Sequence, residues 1–249
     1  MSKNYGWRPD VPDQRDYTLC VTREDIAALP KSVDLRAGMP PVWDQGQLGS
    51  CTGNAISAVV EFEQRKIHPQ WDFAPSRLFI YYNERDAEGS IASDAGAQIK
   101  TGIQVVNKLG VCREDLWKYD TTKFAEKPPQ VAYDNAVKHH ALLYQRVPQN
   151  VDAMKKVLAS GHTFVFGFAV YDSFESDIVA HTGIVPMPLS TEKFLGGHAV
   201  TACGYDDSYL IVRNSWGSGW GIGGYFMFPW DYATNNHLCD DIWAISRMQ

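Results

Sequence analysis

Between Thr52 and Ile67 apolar residues recur at helical spacing, with Ala55, Ile56, Val59 and Phe62 on one face. Glu61 and Glu63 precede Arg65 and Lys66, and a helix C-terminus favours such cations, so the segment predicts one helix ending near Ile67. Pro75-Ser76-Arg77-Leu78 opens a second helix to about Asn83, with Pro75 suited to its first turn. Gly96 to Leu109 predicts a third, with Ile99, Ile103 and Val106 on one face and Gly110 as its stop. From about Val131 the pattern changes. Val151 to Ser160 reads as a helix with Met154, Val157 and Leu158 inward and Gly161 as C-cap. Thr163 to Tyr171, His198 to Tyr205, Tyr209 to Asn214, Gly224 to Phe228 and Ile242 to Ile245 are strand-like. Asp206-Asp207, between two of these strands, reads as a solvated hairpin turn. A mostly helical first half followed by a strand-rich second half predicts an α+β architecture. Residues 1 to about 32 carry Tyr5-Gly6-Trp7-Arg8-Pro9 and the punctuation of Pro12 and Pro30, which predicts an extended, non-helical strap.

Composition narrows the class. The 249 residues suffice for one large core or two compact lobes, and 45% hydrophobic with 21% charged residues is ordinary for a globular chain. A formal net charge of −6 with no basic run argues against nucleic acid or an anionic membrane as partner. No apolar run approaches a membrane span, and Arg8, Asp10, Asp13, Arg15 and Asp16 exclude a secretory signal from the first twenty residues. A cytoplasmic location follows as the expectation. The oligomeric state stays open.

The five cysteines, Cys20, Cys51, Cys112, Cys203 and Cys239, are scattered and odd in number, which argues against a disulfide framework. No Cys/His cluster points to a metal, and no cofactor is expected. Cys112, Cys203 and Cys239 read as packed thiols. Cys51 differs. The stretch Gln45-Gly46-Gln47-Leu48-Gly49-Ser50-Cys51-Thr52 is a glycine-punctuated turn that delivers a thiol to a helix N-terminus. The positive potential there favours the nucleophilic thiolate. Gln45 is placed to aim an amide N–H at the same point.

Two later segments complete a pattern: Gly196-Gly197-His198-Ala199-Val200, and Asn214-Ser215-Trp216-Gly217 with Gly-Trp-Gly-Ile-Gly-Gly-Tyr following. In order and separation, together with the cysteine stretch, they resemble the papain family of cysteine peptidases over about Val33 to Ile245. The resemblance implies a papain-like two-lobed fold with the active site between the lobes. A helical lobe of about 33–130 would supply Cys51, and a strand-rich, antiparallel β-barrel-like lobe of about 131–249 would supply His198. Cys51 is then the nucleophile and His198 the proton shuttle. Asn214 fixes the imidazole tautomer, and Gln45 with the Cys51 N–H receives the oxyanion. Trp216 covers the His–Asn bond. The expected substrate is a peptide or protein.

Three positions depart from the family. Leu48 stands where relatives carry a disulfide-forming cysteine, which fits a reducing compartment. Thr52 replaces an aromatic residue and keeps a ligase or transpeptidase reading open. Ser93-Asp94-Ala95-Gly96 has one glycine where relatives often have two, so Gly96 is the candidate substrate-backbone residue. The floor of the main specificity pocket falls near Trp243 and Ala244. His139-His140 resembles an exopeptidase feature of one relative but lacks its loop. An inactive, peptide-binding relative is the remaining alternative. Residues 1–32 precede the match, either as a strap packed on the body or as a short pro-segment over the cleft.

Overall fold

The computed structural model describes residues 4–70 and 73–248. The strap is not wholly extended: α1 (Arg23–Ala27) interrupts it. Thr22 caps this helix, its hydroxyl accepting from the Asp25 N–H while the Asp25 carboxylate accepts from the Thr22 N–H. That reciprocal cap is legible as Thr-x-x-Asp, and it outweighs the proline punctuation around it. β1 (Val33–Asp34) then joins the main sheet.

The three predicted helices form with shifted ends. α2 (Cys51–Ile67) starts one residue earlier than expected, so Cys51 is its first residue. α3 (Arg77–Ala87) is capped by the Ser76 hydroxyl, which accepts from the Phe79 N–H, and Pro75 lies ahead of the helix. α4 (Ile99–Lys108) begins three residues late, because Gly96 to Gln98 stay non-helical and face the cleft. α5 (Gln130–Ala136) follows. Val59, Leu78, Ile103 and Val106 meet in one apolar core, where each is fully buried.

The second half begins with β2 (Ala141–Arg146) and α6 (Val151–Ala159), followed by β3 (Phe164–Tyr171) and α7 (Asp177–Thr182). β4 (Phe194–Tyr205), β5 (Tyr209–Arg213), β6 (Tyr225–Pro229), α8 (Trp230–Ala233) and β7 (Cys239–Met248) complete the chain. The strands form one sheet in the order β2-β7-β3-β4-β5-β6, with β1 on β4 and every pairing antiparallel. The sheet stays open and does not close into a barrel. Aspartates 206 and 207 turn between β4 and β5, where Asp206 Oδ1 accepts from the Ser208 and Tyr209 N–H groups.

Alternation along β3 sorts its side chains. Phe164, Phe166 and Phe168 enter a second core with Phe226 and Phe228, while Val165 faces the helical core together with Ala199 and Trp243. Gly167 shares the Val165 face. It leaves a flat patch beside β4, where Gly167 pairs with Ala199 and Phe168 with His198. Among the described residues no helix is long and apolar enough to cross a membrane.

Candidate active site

The turn before Cys51 is held from both halves of the chain. Gln45 N–H donates to the Ser215 carbonyl at 2.8 Å, and Gln45 Oε1 accepts from Ser215 Oγ at 2.6 Å. Gln45 Nε2 donates to the Leu48 carbonyl at 2.9 Å. Four bonds thus fix Gln45, which is 1% exposed: two on its side-chain amide and two on its main chain, where the Tyr119 hydroxyl donates to its carbonyl. Further along the turn, Gly49 N–H donates to both oxygens of Asp94, at 3.1 and 2.9 Å. The Tyr81 hydroxyl donates to the same carboxylate and accepts from the Gly96 N–H at 3.2 Å. One carboxylate therefore ties the cysteine turn to the glycine wall opposite. The sequence reading named Asp94 only as part of that wall.

His198 Nε2 lies 2.9 Å from Asn214 Oδ1. That oxygen also accepts from the Ser215 N–H at 2.8 Å, which fixes the amide's orientation. His198 Nε2 must then be the donor, an assignment made from the network. Trp216 stacks on the imidazole with centroids 5.1 Å apart and an interplanar angle of 25°. The backbone N–H groups of Ala199, the residue after His198, and of Gly6 and Thr52 lie close enough to the Cys51 thiol to favour its charged form. Cys51 and His198 are both fully buried. Burial dominates the thiol, pushing it up to about 11 despite the three donors. In this covered form burial opposes the thiolate that the helix N-terminus favours.

The cover is the chain's own residues 4–10. Trp7 N–H donates to the Gly197 carbonyl at 2.9 Å on the sheet side. Ala97 N–H donates to the Gly6 carbonyl at 2.7 Å and Arg8 N–H to the Ala97 carbonyl at 3.0 Å on the helical side. A Cβ on Gly6 would lie 1.6 Å from the Gly49 carbonyl oxygen, and one on Gly96 would lie 2.0 Å from the Gly6 oxygen. Gly96 also needs its positive φ of 70°. Glycine is required on both sides of this contact. Tyr5 sits on His198 with ring centroids 6.0 Å apart, and its hydroxyl donates to Glu175. The Trp7 indole lies on Gly167 and donates to Asp241 Oδ2 at 3.0 Å. Near the sulfur the strap presents the Gly6 N–H, while the Gly6 carbonyl is turned to Ala97.

Other candidate positions lie elsewhere. Trp243 is 1% exposed in the helical core and donates to Asp10 of the strap at 2.8 Å. Ala244 packs in the second core. The side chain that meets Trp7 at the end of its pocket is Asp241, which the sequence reading missed. Thr52 is fully buried and donates to Glu84 at 2.7 Å, so it does not line the cleft. His139 packs on Phe73, and His140 contacts the Asn107 and Val137 carbonyls.

A family model described as papain family cysteine protease matches residues 29–241. A peptidase C1-like protein of Acanthamoeba polyphaga mimivirus is 43% identical over the whole of this chain and 88% of its own length. The crystal structure of xylellain, a cysteine protease from Xylella fastidiosa, superposes with a TM-score of 0.91 at 41% identity, covering 98% of this chain and 96% of the other. Papain of Carica papaya is 27% identical over 85% of this chain and 58% of its own. The chain belongs to the papain family of cysteine peptidases, and its fold is papain-like.

Proposed function

We propose that the protein is a thiol endopeptidase whose resting form carries residues 4–10 across its own cleft. Cys51 is the nucleophile and attacks the peptide carbonyl. His198 delivers a proton to the leaving amine, then activates the water that hydrolyses the thioester. Gln45 Nε2 and the Cys51 N–H receive the oxyanion, and Asn214 keeps His198 Nε2 protonated. The helical lobe, about 33–130, and the strand-rich lobe, about 131–249, each supply one wall. Substrates are peptides or proteins laid between Ala97 and Gly197. The five free thiols fit work in a reducing compartment, the cytoplasm in our reading.

The observation that carries this reading is the strap itself. An extended peptide already pairs its main chain with Ala97 on one side and Gly197 on the other, with the thiol at its centre. The strap escapes cleavage on this account because it offers the sulfur an N–H and no accessible carbonyl carbon. Thr52 gives the ligase alternative no support, since it points into the helical core.

A peptide-library digest tests the assignment. With the strap displaced by Gly6→Ala, the enzyme should cut internal peptide bonds. Adding Cys51→Ala should abolish turnover, and adding Gln45→Ala should slow it by about 10²–10³-fold with little change in KM. Unchanged turnover after Cys51→Ala would sink the mechanism.

A further inference from the structure

Where the strap leaves the cleft it meets the body through two buried carboxyl groups. Asp10, in the strap, is 8% exposed, and Asp241, in β7, is 1% exposed. Asp10 N–H donates to Asp241 Oδ2 at 2.7 Å, and the two carboxyls converge on the same guanidinium nitrogen of Arg146. The surrounding donors serve both. Trp7 Nε1 reaches Asp241, while Trp243 Nε1 and the Lys100 N–H reach Asp10. Asp241 holds a φ of 56°, a left-handed conformation uncommon outside glycine, which stands its carboxyl against the strap.

The charges around the pair do not neutralise it. Among the described residues Arg146, from β2, is the one guanidinium against both, 3.4 Å from Asp10 and 3.5 Å from Asp241. It is shared with Asp16 at 3.7 Å and Asp240 at 3.5 Å. Lys100 turns its ammonium to Asp16 at 2.5 Å and Asp13 at 3.3 Å, and Arg15 is paired with Asp13. Three cations thus face five carboxyl groups, two of them buried and sharing one guanidinium nitrogen.

We propose that Asp10 and Asp241 form a proton-held latch: the strap docks with one proton shared between the two carboxyls, and loss of that proton to water releases it and opens the cleft. The proposal rests on the reading that the strap inhibits. Desolvation, then the neighbouring Asp10, pushes Asp241 up to about 7, and desolvation also raises Asp10. With the strap away, both carboxyls return toward the ordinary carboxylate range. Docking therefore takes up a proton. It is strongest near pH 4 and weakens, by up to about tenfold per unit, as pH rises toward 7. The enzyme opens toward neutral and alkaline pH and is held shut by acid.

The test uses the full chain and a fluorogenic peptide. At each pH between 4.5 and 8 the rate is measured with and without Gly6→Ala, which forces the strap off the Gly49 carbonyl. The ratio of the two rates cancels the pH dependence of the chemistry and reports docking alone. We expect this ratio to fall by roughly 100-fold from low to high pH. In Asp10→Asn the amide donates to Asp241 without needing a shared proton. The ratio should then stay high and flat. Asp241→Asn, measured the same way, should flatten it too. A flat ratio in the otherwise unaltered chain overturns the latch, as does a slope that survives both substitutions. A ratio of one at every pH would instead overturn the inhibitory strap.

Discussion

The front and rear of the strap are held by different physics. From Tyr5 to Asp10 the main chain is bonded to both walls of the cleft, Gly6 and Asp10 are buried, and two aromatic rings lie on glycine surfaces. From Tyr17 to Pro30 the contacts are peripheral. Arg146 exchanges backbone bonds with Tyr17 and Leu19 at 2.8 and 2.9 Å, and Lys156 Nζ pairs with Asp25 at 2.5 Å. The Tyr205 hydroxyl donates to the Pro30 carbonyl, and α1 buries no residue at all. In the resting form we propose, the front recognises the active site and the rear tethers it. A tethered segment works at high effective concentration, so the front need bind only weakly to keep the cleft shut and can be displaced without unfolding the body.

The largest effect should come from the front. Trp7→Ala removes the indole from the Gly167 patch and its bond to Asp241, a loss of the kind that costs about 2–4 kcal/mol at a buried anchor. At pH 6, turnover by the full chain should rise by roughly 100-fold, up to the rate of the fully open enzyme. Gly6→Ala should follow at about 10–100-fold, since its Cβ meets a backbone oxygen that cannot swing aside. Next comes the turn that the strap touches. With the strap displaced, Asp94→Ala should lower kcat by about tenfold, because Gly49 and Tyr81 lose their common partner. Asp94→Asn, which keeps an acceptor for Gly49, should recover most of that. At the rear, Asp25→Ala should change full-chain turnover by less than about threefold, since a partly solvent-screened ion pair far from the cleft contributes little. A rear substitution that opened the enzyme as far as Trp7→Ala would erase the division between tether and inhibitor.

The legible parts of the molecule were local ones. Helices α2, α3, α4 and α6 announced themselves by spacing and caps, and the cysteine, histidine and asparagine stretches by their order. The fold class followed from those. The positive φ of Gly96 and the pairing of Ala97 with the strap shortened α4, and the glycine wall at Gly96 to Gln98 took the residues it gave up. The hidden parts are long-range and made by backbone or burial. The strap's grip consists of main-chain bonds and two glycine contacts, which leave no apolar period to read. Asp10 and Asp241 stand 231 residues apart and carry no spacing signal. Trp243 aligned with a pocket floor, yet β7 turns it into the helical core and brings Asp241 to the indole instead. The Thr22 cap of α1 and the Ser176 cap and Gly183 stop of α7 are readable patterns that the sequence reading does not use.

The most direct measurement is the rate at which a small thiol-directed alkylating agent modifies Cys51 in the full chain at pH 6, with and without Trp7→Ala. The covered thiol, held near 11, is almost wholly protonated and out of reach, so labelling of the unaltered chain should be at least roughly 100-fold slower than that of the variant. Equal labelling rates, fast in both, would contradict a cleft closed by its own N-terminal segment.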